Sequence, residues 1–187
     1  VEDISFGAVN LGLPMPEVKR RVELAMEHTG ISHLRGKPTH CLSFGQKKRV
    51  AIAGVLVMEP ELLVLDEPTA GLDPIGSDQI MKLLKRTRDE LGLSIVLATH
   101  DIDIVSLYCD KVAVMDQGRV IMGGTPAAVF ARKAELRALN LRLPRIGHLM
   151  ELLHDKDGLD IDTSAMTIAS GRRAVRDALS AQEKKTC

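Results

Sequence analysis

Four consecutive apolar residues, Leu62 to Leu65, run directly into Asp66, Glu67 and Pro68. A run this short, with Pro60 before it and Pro68 after it, reads as a strand. Its lack of polar alternation suggests a parallel sheet with both faces buried. Ser94 to Ala98 repeats the pattern and runs into Thr99 and His100. Between the two, Ile80 to Leu91 has helical periodicity, so strand, helix and strand follow in the order of a parallel crossover unit. The chain is therefore predicted to be α/β. Ligands of open parallel sheets bind beyond the carboxyl ends of the strands, where Glu67 and His100 can converge.

The flanking segments add helices and one hairpin. From Glu17 to His28, Val18, Val22, Leu24, Ala25 and Met26 recur at helical spacing, with Pro16 in the first turn and Gly30 as the stop. Ser43 precedes a second helix, Gly45 to Met58, which Glu59-Pro60 closes. Ile102 to Tyr108 is a short helix, and Lys111 to Asp116 and Arg119 to Met122 flank Gln117-Gly118 as a hairpin. Thr125 caps a helix that starts at Pro126. Beyond Phe130 the pattern changes to short charged helices, Ile146 to Leu153 and about Ile168 to Leu179, joined by the turn-rich Lys156-Asp157-Gly158.

Composition narrows the function classes. Lys plus Arg equals Asp plus Glu at 25 each, so no polyanion is expected as the main partner. With no Trp and one Tyr, the chain has little with which to stack bases, and no nucleic-acid partner is expected. Cys41, Cys109 and Cys187 are odd in number and follow no CxxC spacing, which suits free thiols in a reducing compartment. The longest apolar stretch, Val50 to Met58, is far short of the roughly 20 residues of a membrane span. Any membrane role is expected to be peripheral.

Three segments carry chemistry. Leu42-Ser43-Phe44-Gly45-Gln46 opens a helix, where free N–H groups, the positive dipole end and a hydroxyl suit a phosphate; the simpler reading is an ordinary Ser cap. Asp66 and Glu67 end a buried strand, where one carboxylate can hold Mg2+ through water while the next orients attacking water; the simpler reading is a pair of loop-capping acids. Thr99-His100-Asp101 follows the next strand, placing His100 for a hydrogen bond to a terminal phosphate or to that water, where a lone His would be structural. Ala70 to Pro74 supplies a turn and one more acid, Asp73.

In this order, LSFGQ, LLVLDEP, GLDP and ATHD resemble the ATP-binding-cassette (ABC) family, from near the first residue to about Phe130. The resemblance implies part of a P-loop NTPase (RecA-like) cassette with a mostly parallel sheet, in which residues 1–131 are the C-terminal part of the ATPase domain. Within them the helical signature subdomain covers about 8–58 and the core about 61–131, and 132–187 form a small helical C-terminal extension. It also implies site roles for ATP and Mg2+. Ser43 and Gly45, with Gln46, face the ATP of the opposite subunit of a head-to-tail dimer. Asp66 is the magnesium partner, Glu67 the general base, Asp73 the dimer-contact aspartate and His100 the switch histidine. Phe44 departs from the pattern, because most members carry Gly there.

Within the family the sequence is most similar to ATPase subunits of energy-coupling-factor importers for cobalt or nickel. Asp3 to Gly7, Asn10 to Leu13, Gln46 to Gly54, Thr69 to Pro74, Gly124 to Pro126 and Leu141 to Arg145 carry that similarity. It implies a peripheral protein at the cytoplasmic face of the membrane. Its partners would be membrane-embedded transporter subunits and a second ATPase subunit, identical or different. A family member also has a Walker A loop, GxxxxGK[ST], and a Q-loop glutamine, and neither is found here. The nearest string, Gly30 to Lys37, has five residues between its glycines and Pro38 where Ser or Thr belongs. The expectation is an N-terminally incomplete copy of an importer ATPase that does not hydrolyse ATP alone. The alternative is a non-catalytic partner lending Ser43 and Gly45 to an intact cassette.

Overall fold

The computed structural model describes residues 1–186, the side chains of 182–186 excepted, so Cys187 lies outside the described residues. They form two compact units, Val1–His100 and the residues from Asp101 onward. The second unit begins before the expected boundary at 131, because the hairpin packs with the C-terminal helices.

In the first unit, helices α1 (Glu2–Asn10), α2 (Met15–His28) and α3 (Phe44–Leu56) pack against one another. Ile4 and Ala8 of α1, Val18, Val22, Ala25 and Met26 of α2, and Ile52, Ala53 and Leu56 of α3 are buried. Helices α1 and α3 approach closely because of a glycine: a Cβ added to Gly7 would lie 2.7 Å from Met58 Sδ and 3.4 Å from the Gly54 carbonyl oxygen. The helical block thus begins at Glu2, earlier than the expected residue 8. Apolar residues lie on several sides of α1, so the sequence shows no stripe there to mark a helix.

Strand β1 (Leu62–Asp66) pairs in parallel with β2 (Ser94–Ala98), Leu62 opposite Ser94 and Asp66 opposite Ala98. Helix α4 (Pro74–Leu91) connects them. It starts six residues before the periodic stretch at Ile80, since Asp73 caps it and Pro74 occupies its first turn. It ends at Gly92, where φ is 67°. The expectation of strands buried on both faces is corrected. Leu63 is buried, and its register neighbour Ile95 is half-buried, but Leu62, Val64 and Val96 on the other face are 51%, 67% and 54% exposed.

In the second unit, Asp101 caps α5 (Ile102–Tyr108) by accepting from the Asp103 and Ile104 amides. Strands β3 (Val112–Asp116) and β4 (Arg119–Gly124) form an antiparallel hairpin. Its turn residues Gln117 and Gly118 have φ of 45° and 75°, both positive as a type I′ turn requires. Helices α6 (Pro126–Phe130), α7 (Lys133–Ala138), α8 (Arg145–Asp155) and α9 (Ile168–Thr186) follow. Met122, Val129, Phe130, Leu136 and Leu143 form one core, and Met150, Ile161, Ala165 and Ala174 a second. The buried carboxylate of Glu151 is satisfied by Arg137 at 2.7 Å and Lys133 at 3.2 Å, which ties α7 to α8. Among the described residues no helix is long and apolar enough to cross a membrane.

Candidate functional site

The site starts where β1 ends. Asp66 is the last residue of the strand, exposed, and among the described residues no side chain pairs with its carboxylate. Glu67 then turns the chain. Its φ is 44°, a left-handed conformation that costs a side-chain-bearing residue on the order of 1–3 kcal/mol. Pro68, the next residue, disfavours the right-handed helical alternative at Glu67. The Glu67 amide donates to the Ala98 carbonyl at 2.9 Å, which continues the parallel ladder one step past β1 and fixes the turn against the end of β2.

The Glu67 side chain is held from three directions. The His100 amide donates to Oε1 at 3.0 Å, His100 Nδ1 lies 2.6 Å from the same oxygen, and Thr99 Oγ1 donates to Oε2 at 3.3 Å. The hydrogen bond from the His100 ring, opposed by partial burial and helped by the His100 amide, keeps the Glu67 carboxyl below the usual carboxylate range. A carboxylate only accepts, so Nδ1 carries the proton in this pair. The other ring nitrogen, Nε2, is then an acceptor in the neutral ring and a donor in the protonated one. The His100 side chain is 85% exposed, so that nitrogen is open to a water or a ligand.

The second element of the site is the start of α3. Ser43, extended at φ −65° and ψ 164°, forms a full capping box: the Gln46 amide donates to Ser43 Oγ at 3.3 Å and the Ser43 amide to Gln46 Oε1 at 2.9 Å. The plain cap reading of Ser43 is thus realised. It uses only acceptor capacity, and leaves the hydroxyl proton of Ser43 and the amide protons of Gln46 to donate outward. A Cβ on Gly45 would meet Leu72 at an ordinary 3.8 Å, so no contact within the chain demands glycine there. Phe44 is an ordinary first helical residue and does not distort the backbone. Its ring lies 3.6 Å from where a Gly71 Cβ would stand, with Lys47 Nζ 6.0 Å from the ring centroid.

Asp73 caps α4 by accepting from the Gly76 amide at 2.8 Å. The Phe44 ring beside Gly71, and Leu72 within van der Waals reach of a side chain at Gly45, place the signature start beside the Ala70 to Asp73 turn. The structure therefore joins Glu67 with His100, and Ser43, Gly45 and Gln46 with the turn that ends in Asp73. Sequence reasoning missed Lys48, whose Nζ donates to the Glu67 carbonyl at 3.1 Å. A lysine that meets a main-chain oxygen nineteen residues away leaves no pattern in sequence.

For a metal, the described residues hold no group of three or more His, Cys, Asp or Glu side chains. An unpaired Asp66 beside Glu67 still fits Mg2+, which binds through one or two carboxylates and takes its remaining oxygens from water and phosphates.

The family model described as ABC transporter matches residues 2–70. The energy-coupling factor transporter ATP-binding protein EcfA2 of Clostridium perfringens (strain SM101) is 63% identical over 174 residues, covering 93% of this chain and 61% of that protein. EcfA of Methanocaldococcus jannaschii is 51% identical over 174 residues, covering 93% of this chain and 62% of that protein. A solved structure of cbiO1 from Clostridium perfringens, described as part of the ABC transporter complex cbiONQ, is 68% identical with a TM-score of 0.66. The match covers 79% of this chain and 59% of that one. The chain thus spans about three fifths of the length of the curated relatives it matches.

Proposed function

The chain belongs to the family of ABC transporter ATPases, and from that premise we propose that its residues form two parts of an ATP site in an importer. One part is Asp66, Glu67 and His100, which act on ATP and Mg2+ together with a P-loop. The other is Ser43, Gly45 and Gln46, which present donors to the ATP of a second ATPase subunit, while Asp73 lies at the contact between the two subunits. The observation that carries this reading is the Glu67 carboxylate, clamped by His100 at 2.6 Å beside an unpaired Asp66.

In this reading Asp66 would hold Mg2+, which would supply charge neutralisation on the phosphates. Glu67, kept ionised by His100, accepts a hydrogen bond from the attacking water and then its proton. His100 Nε2, left open by the Nδ1 bond, meets the water or the terminal phosphate. Ser43 Oγ and the free α3 amides receive phosphate oxygens at a helix N-terminus.

The importer partners are membrane-embedded subunits, and the transported substrate is cobalt, nickel or a related small solute. Support for the membrane partners comes from the similarity to energy-coupling-factor transporter ATP-binding proteins and to cbiO1, itself described as part of a transporter complex, whereas the substrate rests on the sequence resemblance alone. The location is the cytoplasmic face of the membrane, held peripherally. Residues 132–187 act as a helical extension of the ATPase domain. Without a P-loop sequence these 187 residues do not turn over ATP by themselves. The second reading, a non-catalytic partner, is favoured by the unspent donors of the capping box.

Two measurements test the proposal. Nucleotide binding to the purified chain should be weak with or without Mg2+, and tight binding by the chain alone would refute the half-site. Mixed with a P-loop-bearing cassette, the chain should raise ATP turnover. If both S43A and E67Q lose that stimulation, the importer reading holds. If only S43A does, the chain is the non-catalytic partner, and no stimulation at all rejects both.

A further inference from the structure

Lys48 stands 3.1 Å from the Glu67 carbonyl oxygen, half-buried, and among the described residues its ammonium makes no ion pair. A charged donor spent on a main-chain carbonyl, when no carboxylate is paired with it, suggests that the oxygen has to be held. The peptide concerned is the strained one. Glu67 has φ 44° and is followed by Pro68, and its carbonyl also accepts the Ala70 amide at 3.1 Å. Glu67 is thus fixed through its amide by β2, through its side chain by Thr99 and His100, and through its carbonyl by Lys48.

We propose that Lys48 is a positioning residue: its ammonium, carried on the signature helix, locks the Glu67 peptide in its left-handed conformation and so aims the Glu67 carboxylate at His100. Lys48 lies five residues beyond Ser43 on α3, so the same helix that presents Ser43 also carries the lock. This rests on the reading of Glu67 as the base, but the geometric claim does not.

The test compares the 187-residue chain with its K48M and K48R variants by NMR. Met keeps the stem without the donor, and Arg restores a donor of similar reach. In K48M the His100 amide, which donates to Glu67 Oε1, should exchange with solvent at least about tenfold faster, as expected for loss of a charge-assisted hydrogen bond. The His100 Nδ1 resonance should move toward that of a free imidazole. The Gly76 amide, bonded to Asp73, should keep its exchange rate, and K48R should return the His100 signals.

Unchanged His100 signals in K48M overturn the proposal. So does a uniform rise in exchange at His100 and Gly76 alike, which marks a role in stability only. Should K48M fail to fold, K48L, which likewise has no donor, takes its place with the same expectations. In the mixed assay with a P-loop-bearing cassette, K48M should lower kcat with KM for ATP unchanged. An NMR response with no ATP turnover in any mixture retains the lock and rejects the base role of Glu67.

Discussion

His28 sits against α4 with Nε2 3.0 Å from Thr87 Oγ1, and Thr87 in turn donates to the Leu83 carbonyl at 2.9 Å. Thr87 has spent its proton, so the histidine must donate from Nε2, and the neutral ring suffices for that. Burial, with Arg86 adding repulsion and Glu90 opposing it, lowers the His28 pKa below its ordinary value. The folded state then binds fewer protons than the unfolded chain just below pH 6.5, so stability rises with pH there and falls on acidification toward the folded pKa. Thermal melts between pH 7.5 and 5.5 should show the midpoint dropping, and H28Q should flatten that slope; an unchanged slope would locate the dependence elsewhere. Gly76 offers a sharper steric case. A Cβ there would stand 2.7 Å from Asp73 Oδ1, the acceptor that caps α4. G76A should cost about 1 kcal/mol, the worth of the cap, and should add little on top of D73A in a double-mutant cycle.

At the scale of elements, the α1–α3 contact depends on Gly7, where an added Cβ would lie 2.7 Å from Met58 Sδ and 3.4 Å from the Gly54 carbonyl oxygen. Denaturant melts of G7A should show a loss of roughly 1–3 kcal/mol from overpacking. Shortening Met58 in G7A/M58A should recover part of it, because the nearest obstacle is a flexible side chain. Additive losses would place the clash on the α3 backbone instead. Helix α1 was also the element the sequence hid, since Ile4, Phe6, Ala8 and Val9 give no single apolar face. Helix α7 escaped notice because six residues with one buried side chain, Leu136, carry too little pattern. The strands were legible because each is a short apolar run bounded by breakers, and their parallel register follows from the intervening helix. That register puts Glu67 one residue past β1 opposite the end of β2, which is why its meeting with His100 could be read in advance. Lys48 could not be, because a side chain that meets a main-chain oxygen depends on the packing of α3 against the strand end, which no local spacing encodes.

The whole chain differs from the sequence expectation most in where its apolar surface lies. Leu62 and Val64 share one face of β1, and Val96 stands directly opposite Val64 on β2, all three more than half exposed. On α1, the turn after it and the first residue of α2, Phe6, Leu11 and Met15 are also more than half exposed. Exposed aliphatic side chains clustered on a flat sheet face bind apolar probes and promote association. The 187-residue chain in solution should therefore bind a fluorescent apolar dye and associate with rising concentration, and added salt should not weaken that association, since it is not driven by charge. Replacing the facing pair by V64K/V96E should suppress both effects. It places opposite charges across the strands, a pairing worth roughly 0.2–1 kcal/mol in favour of the fold. Fully solvent-facing substitutions stay within about 0.5 kcal/mol, so the melting midpoint should hold or rise slightly. A large fall in stability would mean that this face is packed within the folded chain, and unchanged dye binding would assign the association to the α1 residues, where F6S is the next variant to measure.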